Sequence, residues 1–222
     1  MIVQQSSIPL DDLDWEQVRA HYDERVAMHE YLIELHETMQ IEAFANAALA
    51  IGPQNLSANY SAAEHGLGPK ILMYNTPPVE KDVFDLAGAF RGLVEGKDVP
   101  RIISSAAIRY LAIGVGSELS CMVNPDVCWV ANTRTIWTDL LIKHGGRYEL
   151  ADEELKLYRD DDPRSKMAYP LWADIHRRLD RTMVLLAGWS EPLCSAVFVE
   201  TGPLTNLWGD AIANALYAER HG

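Results

Sequence analysis

At 222 residues, 48% of them hydrophobic and 23% charged, the chain can bury a substantial core and has the composition of a globular protein. A formal net charge of −13 argues against binding to nucleic acid or to anionic membrane surfaces, because both need clustered Lys and Arg. Eight of those charges fall within the first 50 residues, where ten acids face only Arg19 and Arg25. No charged region leading into an apolar run opens the chain. Cys121, Cys128 and Cys194 are odd in number, sit in apolar contexts and lack CxxC spacing. A cytoplasmic protein with reduced core thiols is therefore expected.

Residues 1–10 read as a polar lead-in closed by Pro9. A long amphipathic helix is expected from Asp11 or Asp12 to about Ala50, with acids favoured in its first turn. On its wheel Trp15, Val18, Tyr22, Val26, His29, Ile33, His36, Gln40, Phe44 and Ala47 form one stripe, widened by Met28, Leu32, Leu35 and Met39. So wide an apolar face has the form of a bundle or dimer helix. Residues 52–78 are punctuated by Gly52-Pro53, Gly66, Gly68-Pro69 and Pro77-Pro78. They read as a long connection, a lid or a packed arm, with room for a short strand at Ile71 to Tyr74.

A helix from Val79 to Glu95 follows, with Val83, Leu86, Ala87, Phe90, Leu93 and Val94 on one face. The stretch 102–122 is apolar almost all the way round a helical wheel, as in a central helix buried on several sides. Two charges interrupt it, Arg109 and Glu118, which lie too far apart to pair along one helix. Each is either a boundary charge reaching solvent or, for Glu118, part of an internal polar site. Further helices are expected over 133–144, 151–159 and 170–186 and after Thr201 or Pro203. Marginal strands are expected at Val127 to Ala131 and Cys194 to Val199, and an exposed turn at Asp160 to Asp162. The expected fold is a single all-α domain over residues 1–222. It has about seven helices packed around the central apolar helix and at most two or three short strands.

No complete catalytic signature is present. Gly114-Val-Gly-Ser-Glu118 is not GxSxG, and the run around Lys70 lacks the phosphate-loop pattern. The most specific oddity is His29 and His36, one heptad apart in the apolar stripe. Two imidazoles entering a bundle core can ligate a metal if facing helices supply carboxylates. Glu118, His176 and Asp180 are the candidate partners, and iron, manganese or zinc would suit that donor set. In architecture alone this resembles ferritin-like and haem-oxygenase-like dimetal oxidases. The resemblance implies a metal-dependent oxidoreductase, with a di-iron centre as one form, acting on a small organic substrate. The competing reading, preferred here, leaves both histidines as core residues satisfied by hydrogen bonds. On that reading the protein acts through protein–protein association, as a homo-oligomer joined by the long N-terminal helix, with room for a further protein partner. Six tryptophans supply either core volume or a partner surface.

Overall fold

The computed structural model describes residues 7–52, 61–158 and 169–222. Residues 1–6 of the expected lead-in, 53–60 of the expected connection and the turn at Asp160 to Asp162 lie outside them. Among the described residues the fold is all-α, with eleven α-helices and no strand. They are α1 (Trp15–Glu37), α2 (Ile41–Ala48), α3 (Ser61–Glu64), α4 (Leu67–Tyr74), α5 (Val79–Arg91) and α6 (Val99–Ala106). The remainder are α7 (Ile113–Val123), α8 (Thr133–Lys143), α9 (Tyr148–Leu155), α10 (Tyr169–Ala196) and α11 (Thr205–His221). The strands expected at Ile71 to Tyr74 and Cys194 to Val199 are helical in whole or part, and Val127 to Ala131 pairs with no strand. No helix among the described residues is long and apolar enough to cross a membrane.

Two expected helices are each broken in two. The N-terminal one starts at Trp15, where the Asp14 carboxylate accepts the Glu16 and Gln17 backbone N–H groups at 3.1 Å. It stops at Glu37 rather than running to Ala50. Gln40 N–H donates to Leu35 and Met39 N–H to His36, a Schellman stop with Met39 left-handed at φ 55°. The expected central helix likewise ends at Ala106. Ala107 (φ 53°) and Tyr110 (φ 70°) carry the chain round before α7 begins at Ile113.

The chain forms two compact units, Asp23–Asn132 and Met1–Tyr22 with Thr133–Gly222, and the residues of α1 are divided between them. In the first, α5 packs on α2, α6 and α7. Here α7 is the enclosed element, with every residue from Val115 to Val123 buried, Glu118 included. In the second, α8 packs on α9, α10 and α11, around Trp137, Trp208, Leu140, Leu179 and Met183. α11 approaches α10 so closely that a Cβ on Gly209 would lie 3.0 Å from the Met183 Cα.

The buried stripe of α1 is Trp15, Val18, Tyr22, Met28, Leu32 and Leu35, while Val26, His29, Ile33 and His36 are only half-buried. Most of the apolar face expected to join two copies is thus consumed inside one chain. The tryptophans divide in the same way. Trp15, Trp129, Trp137 and Trp208 are buried, and Trp172 and Trp189 are half-buried.

Candidate functional site

The two charges in the expected central helix have opposite fates. Glu118 is 2% exposed, at the middle of α7. Its Oε2 accepts the Ser61 backbone N–H at 2.8 Å and its Oε1 accepts an Asn132 side-chain N–H at 3.2 Å. Oε1 also lies 3.8 Å from an Nη2 of Arg25, which is equally buried. At the preceding position of α7, the Ser117 hydroxyl accepts the Ala131 N–H at 2.8 Å. The polar residues of α7 thereby tie down the start of α3 and the extended run before α8. This is an internal polar site in which donors and a guanidinium surround the carboxylate, as burial of a charge requires.

The five residues expected to ligate a metal are not gathered. Among the described residues no group of three or more His, Cys, Asp or Glu is placed to hold a metal ion. His29 Nδ1 faces the Met122 carbonyl at 2.5 Å, so that nitrogen carries the proton. His36 stacks on Phe84, with ring centres 4.2 Å apart, and its Nδ1 accepts from Arg91 at 2.9 Å. Its Nε2 is buried near the Phe84 carbonyl without a well-aligned hydrogen bond. Burial first, and then the Arg91 charge, hold this imidazole below the ordinary histidine range, so it is neutral near pH 7. A guanidinium against one ring nitrogen also opposes a cation there. His176 and Asp180 belong to the other unit. His176 is fully buried, and burial reinforced by the Arg177 charge pushes it down to about 3, whereas Asp180 is exposed.

The cysteines are free and buried. Burial pushes Cys128 up to about 12, against a Ser120 hydrogen bond, and Cys194 up to about 11, so both thiols stay protonated near neutral pH.

Arg109, by contrast, is exposed, and it organises a surface that sequence reasoning missed. Asn75, just past α4, receives the Arg109 N–H on Oδ1 at 2.8 Å. It donates from Nδ2 to the Arg109 carbonyl at 3.0 Å and to the Ile71 carbonyl at 2.8 Å. That side chain clamps the left-handed turn after α6 to the end of α4. The clamp places the Arg109 guanidinium 5.8 Å from the Tyr74 ring centre and 5.3 Å from that of Tyr110, with the two rings 5.5 Å apart. Met73 (72% exposed) and Tyr74 (53%) stand beside it, at the C-terminal end of α4. Non-glycine residues at positive φ cost of order 1 kcal/mol each and gather at functional positions. The sequence signal was an Arg-Tyr pair inside an otherwise apolar run.

In the other unit two carboxylates of α9 hold ion clusters nearer the surface. Asp152 accepts the Trp137 indole N–H at 2.7 Å and Arg220 at 3.1 Å, with His221 Nε2 at 3.3 Å. Glu154 receives Lys143 at 2.6 Å and lies 2.7 Å from His144 Nε2. Burial acts to raise both carboxyls, but these hydrogen bonds and charges outweigh it and hold them below the usual carboxylate range.

The chain matches no family model, and no curated protein or solved structure is significantly similar to it.

Proposed function

We propose that the protein works by protein–protein association, and specifically by assembling with copies of itself. The observation that carries this reading is the exposed Tyr74–Arg109–Tyr110 surface. Tyr and Arg dominate the energetics of protein interfaces because they combine large apolar area with directed polar groups. Here the Asn75 clamp orders them in advance, so little conformational entropy remains to be lost on binding. Three free, buried thiols suit a reducing cytoplasmic setting.

Light scattering on the whole chain across a concentration series tests the reading. The expected result is a mass rising above the 24.9 kDa of one chain within the micromolar range. A mass fixed at one chain throughout would overturn it. No observation gives comparable support to a metal-dependent oxidoreductase, since no group of three or more candidate ligands is gathered among the described residues.

A further inference from the structure

We infer that the Arg109 surface docks into the acidic groove on the outer side of α1 of a second copy, a contact that rests on the self-association proposed above. The argument starts from unspent charge. In a chain with 32 acids and 19 bases, most exposed cations can find a carboxylate. Lys81, Lys97, Arg101, Lys143, Lys156, Arg177 and Arg220 all have one. Among the described residues exposed Lys70, Arg109, Arg147 and Arg181 make no ion pair, and the first two belong to the unit that carries the tyrosine surface. Lys70 lies one turn before Tyr74 on α4, so this unit sets two unpaired cations, Lys70 along the helix and Arg109 over the ring, near Tyr74. The result is a positive, aromatic knob on an acidic protein.

The same unit carries the opposite shape and sign. His29, Glu30, Ile33, Glu34, Glu37 and Thr38 line a shallow groove of about 320 Å³ along α1. Glu37 is occupied by Arg91 at 2.8 Å. Glu30 and Glu34, four residues apart on the exposed side, have no cationic partner among the described residues, and like charges at that spacing repel. Half-buried Ile33 and His29 give the groove an apolar floor. Two unpaired carboxylates over an aliphatic floor complement two unpaired cations on a surface with two aromatic rings. Knob and groove are different surfaces, so the contact is heterologous, running head to tail from copy to copy. With a handful of side chains on each face it is a small, electrostatically steered interface. It is therefore weak and reversible, and it loosens as salt rises.

The test uses the whole chain and charge reversal at exposed positions. Sedimentation equilibrium follows wild type, Lys70→Glu/Arg109→Glu and Glu30→Lys/Glu34→Lys, each alone, and then the two variants mixed. Circular dichroism melts verify folding. Each variant alone should dissociate, its apparent Kd rising about tenfold or more, because knob and groove then carry the same sign. The mixture should reassemble, since each knob again meets a groove of opposite charge. If wild type assembles and either variant stays equally assembled, the docking is wrong although self-association stands. The docking is equally wrong if both variants dissociate but their mixture does not recover. A wild-type chain that never assembles removes the self-association reading itself.

Discussion

Glu118 and the α9 pair Asp152 and Glu154 are carboxylates that each meet a cation, yet the two regions hold their charge on different terms. Glu118 and Arg25 are each 2% exposed, and the carboxylate is held by protein groups, Ser61, Asn132 and Arg25 among them. The Asp152 and Glu154 side chains are 25% and 19% exposed and share their cations with water. Burial removes the alternative partner. A buried ion pair therefore adds little over an apolar replacement but is expensive to halve, while a rim pair is inexpensive to lose and responds to salt and pH.

The largest expected effect breaks the buried site. Glu118→Ala should cost about 3–5 kcal/mol in chemical denaturation by removing the carboxylate beside buried Arg25 and the acceptor for Ser61 and Asn132, whereas Glu118→Gln should cost at most about 3 kcal/mol. Joint replacement, Arg25→Met with Glu118→Gln, removes both charges while keeping an acceptor for Ser61 and Asn132, and should recover part of that loss. If Glu118→Ala melts with wild type, the contrast drawn above collapses.

The next tests whether burial acts on a base as it does on an acid. His176 is pushed down to about 3 from 6.5, so the unfolded chain takes up a proton that the folded chain refuses. The stability linked to His176 is complete above pH 6.5 and drains away as pH falls toward that depressed value. The slope should grow below pH 6.5 and approach about 1.4 kcal/mol per pH unit near pH 5, in denaturation curves collected from about pH 7 to about pH 4.5. His176→Leu should flatten that slope whatever it does to stability at pH 7. A slope unchanged by the substitution would mean the acid sensitivity arises elsewhere.

At the rim, Asp152→Asn should cost about 1 kcal/mol at neutral pH, discounted for its partial exposure. The folded carboxyl lies below its unfolded value of 3.8. Its contribution is thus present above that pH and lost as pH falls through the folded value. Wild type and variant should converge in strong acid, and added salt should shrink the gap between them. A penalty as large as that of Glu118→Ala, indifferent to salt, would show that the α9 cluster is energetically buried after all.

Smallest is a gain. Phe198 N–H donates to Ser195 and Val199 N–H to Cys194, a Schellman stop for α10 with Phe198 left-handed at φ 60°. Phe198→Gly should raise stability by about 1 kcal/mol by relieving that conformation, which a thermal melt would resolve.

The same motif explains what the sequence could and could not convey. α8 ends through Gly145, where a glycine marks the left-handed position, and the expected boundary there agrees with the structure. α1, α2 and α10 end through Met39, Ala50 and Phe198, and α6 ends at Ala107. None of these carries a residue that signals a stop, so periodicity ran on through Met39 and Ala107 and fused helices that are separate. The all-α class was legible because heptad-like spacing survives such breaks. The enclosure of Glu118 was legible as an alternative, from the apolar wheel of α7. Its partners Arg25, Ser61 and Asn132 were not, because no spacing rule relates residues so distant in sequence. The Arg109 surface was hidden for a related reason, since only the unforeseen turn brings Arg109 and Tyr110 to the end of α4.

Phe198 is 97% exposed, the largest exposure among the bulky apolar side chains. It stands clear of helical hydrogen bonding on its C-terminal side, where Val199 to Gly202 has no regular structure. A protease that cleaves after large aromatic residues should find its first cut in the native fold at the Phe198–Val199 bond. The other exposed aromatics among the described residues, Tyr74 and Tyr110, are held close by Asn75 and Arg109. Limited digestion should therefore show an early nick at this bond, releasing a fragment that carries α11 and whose mass names the site.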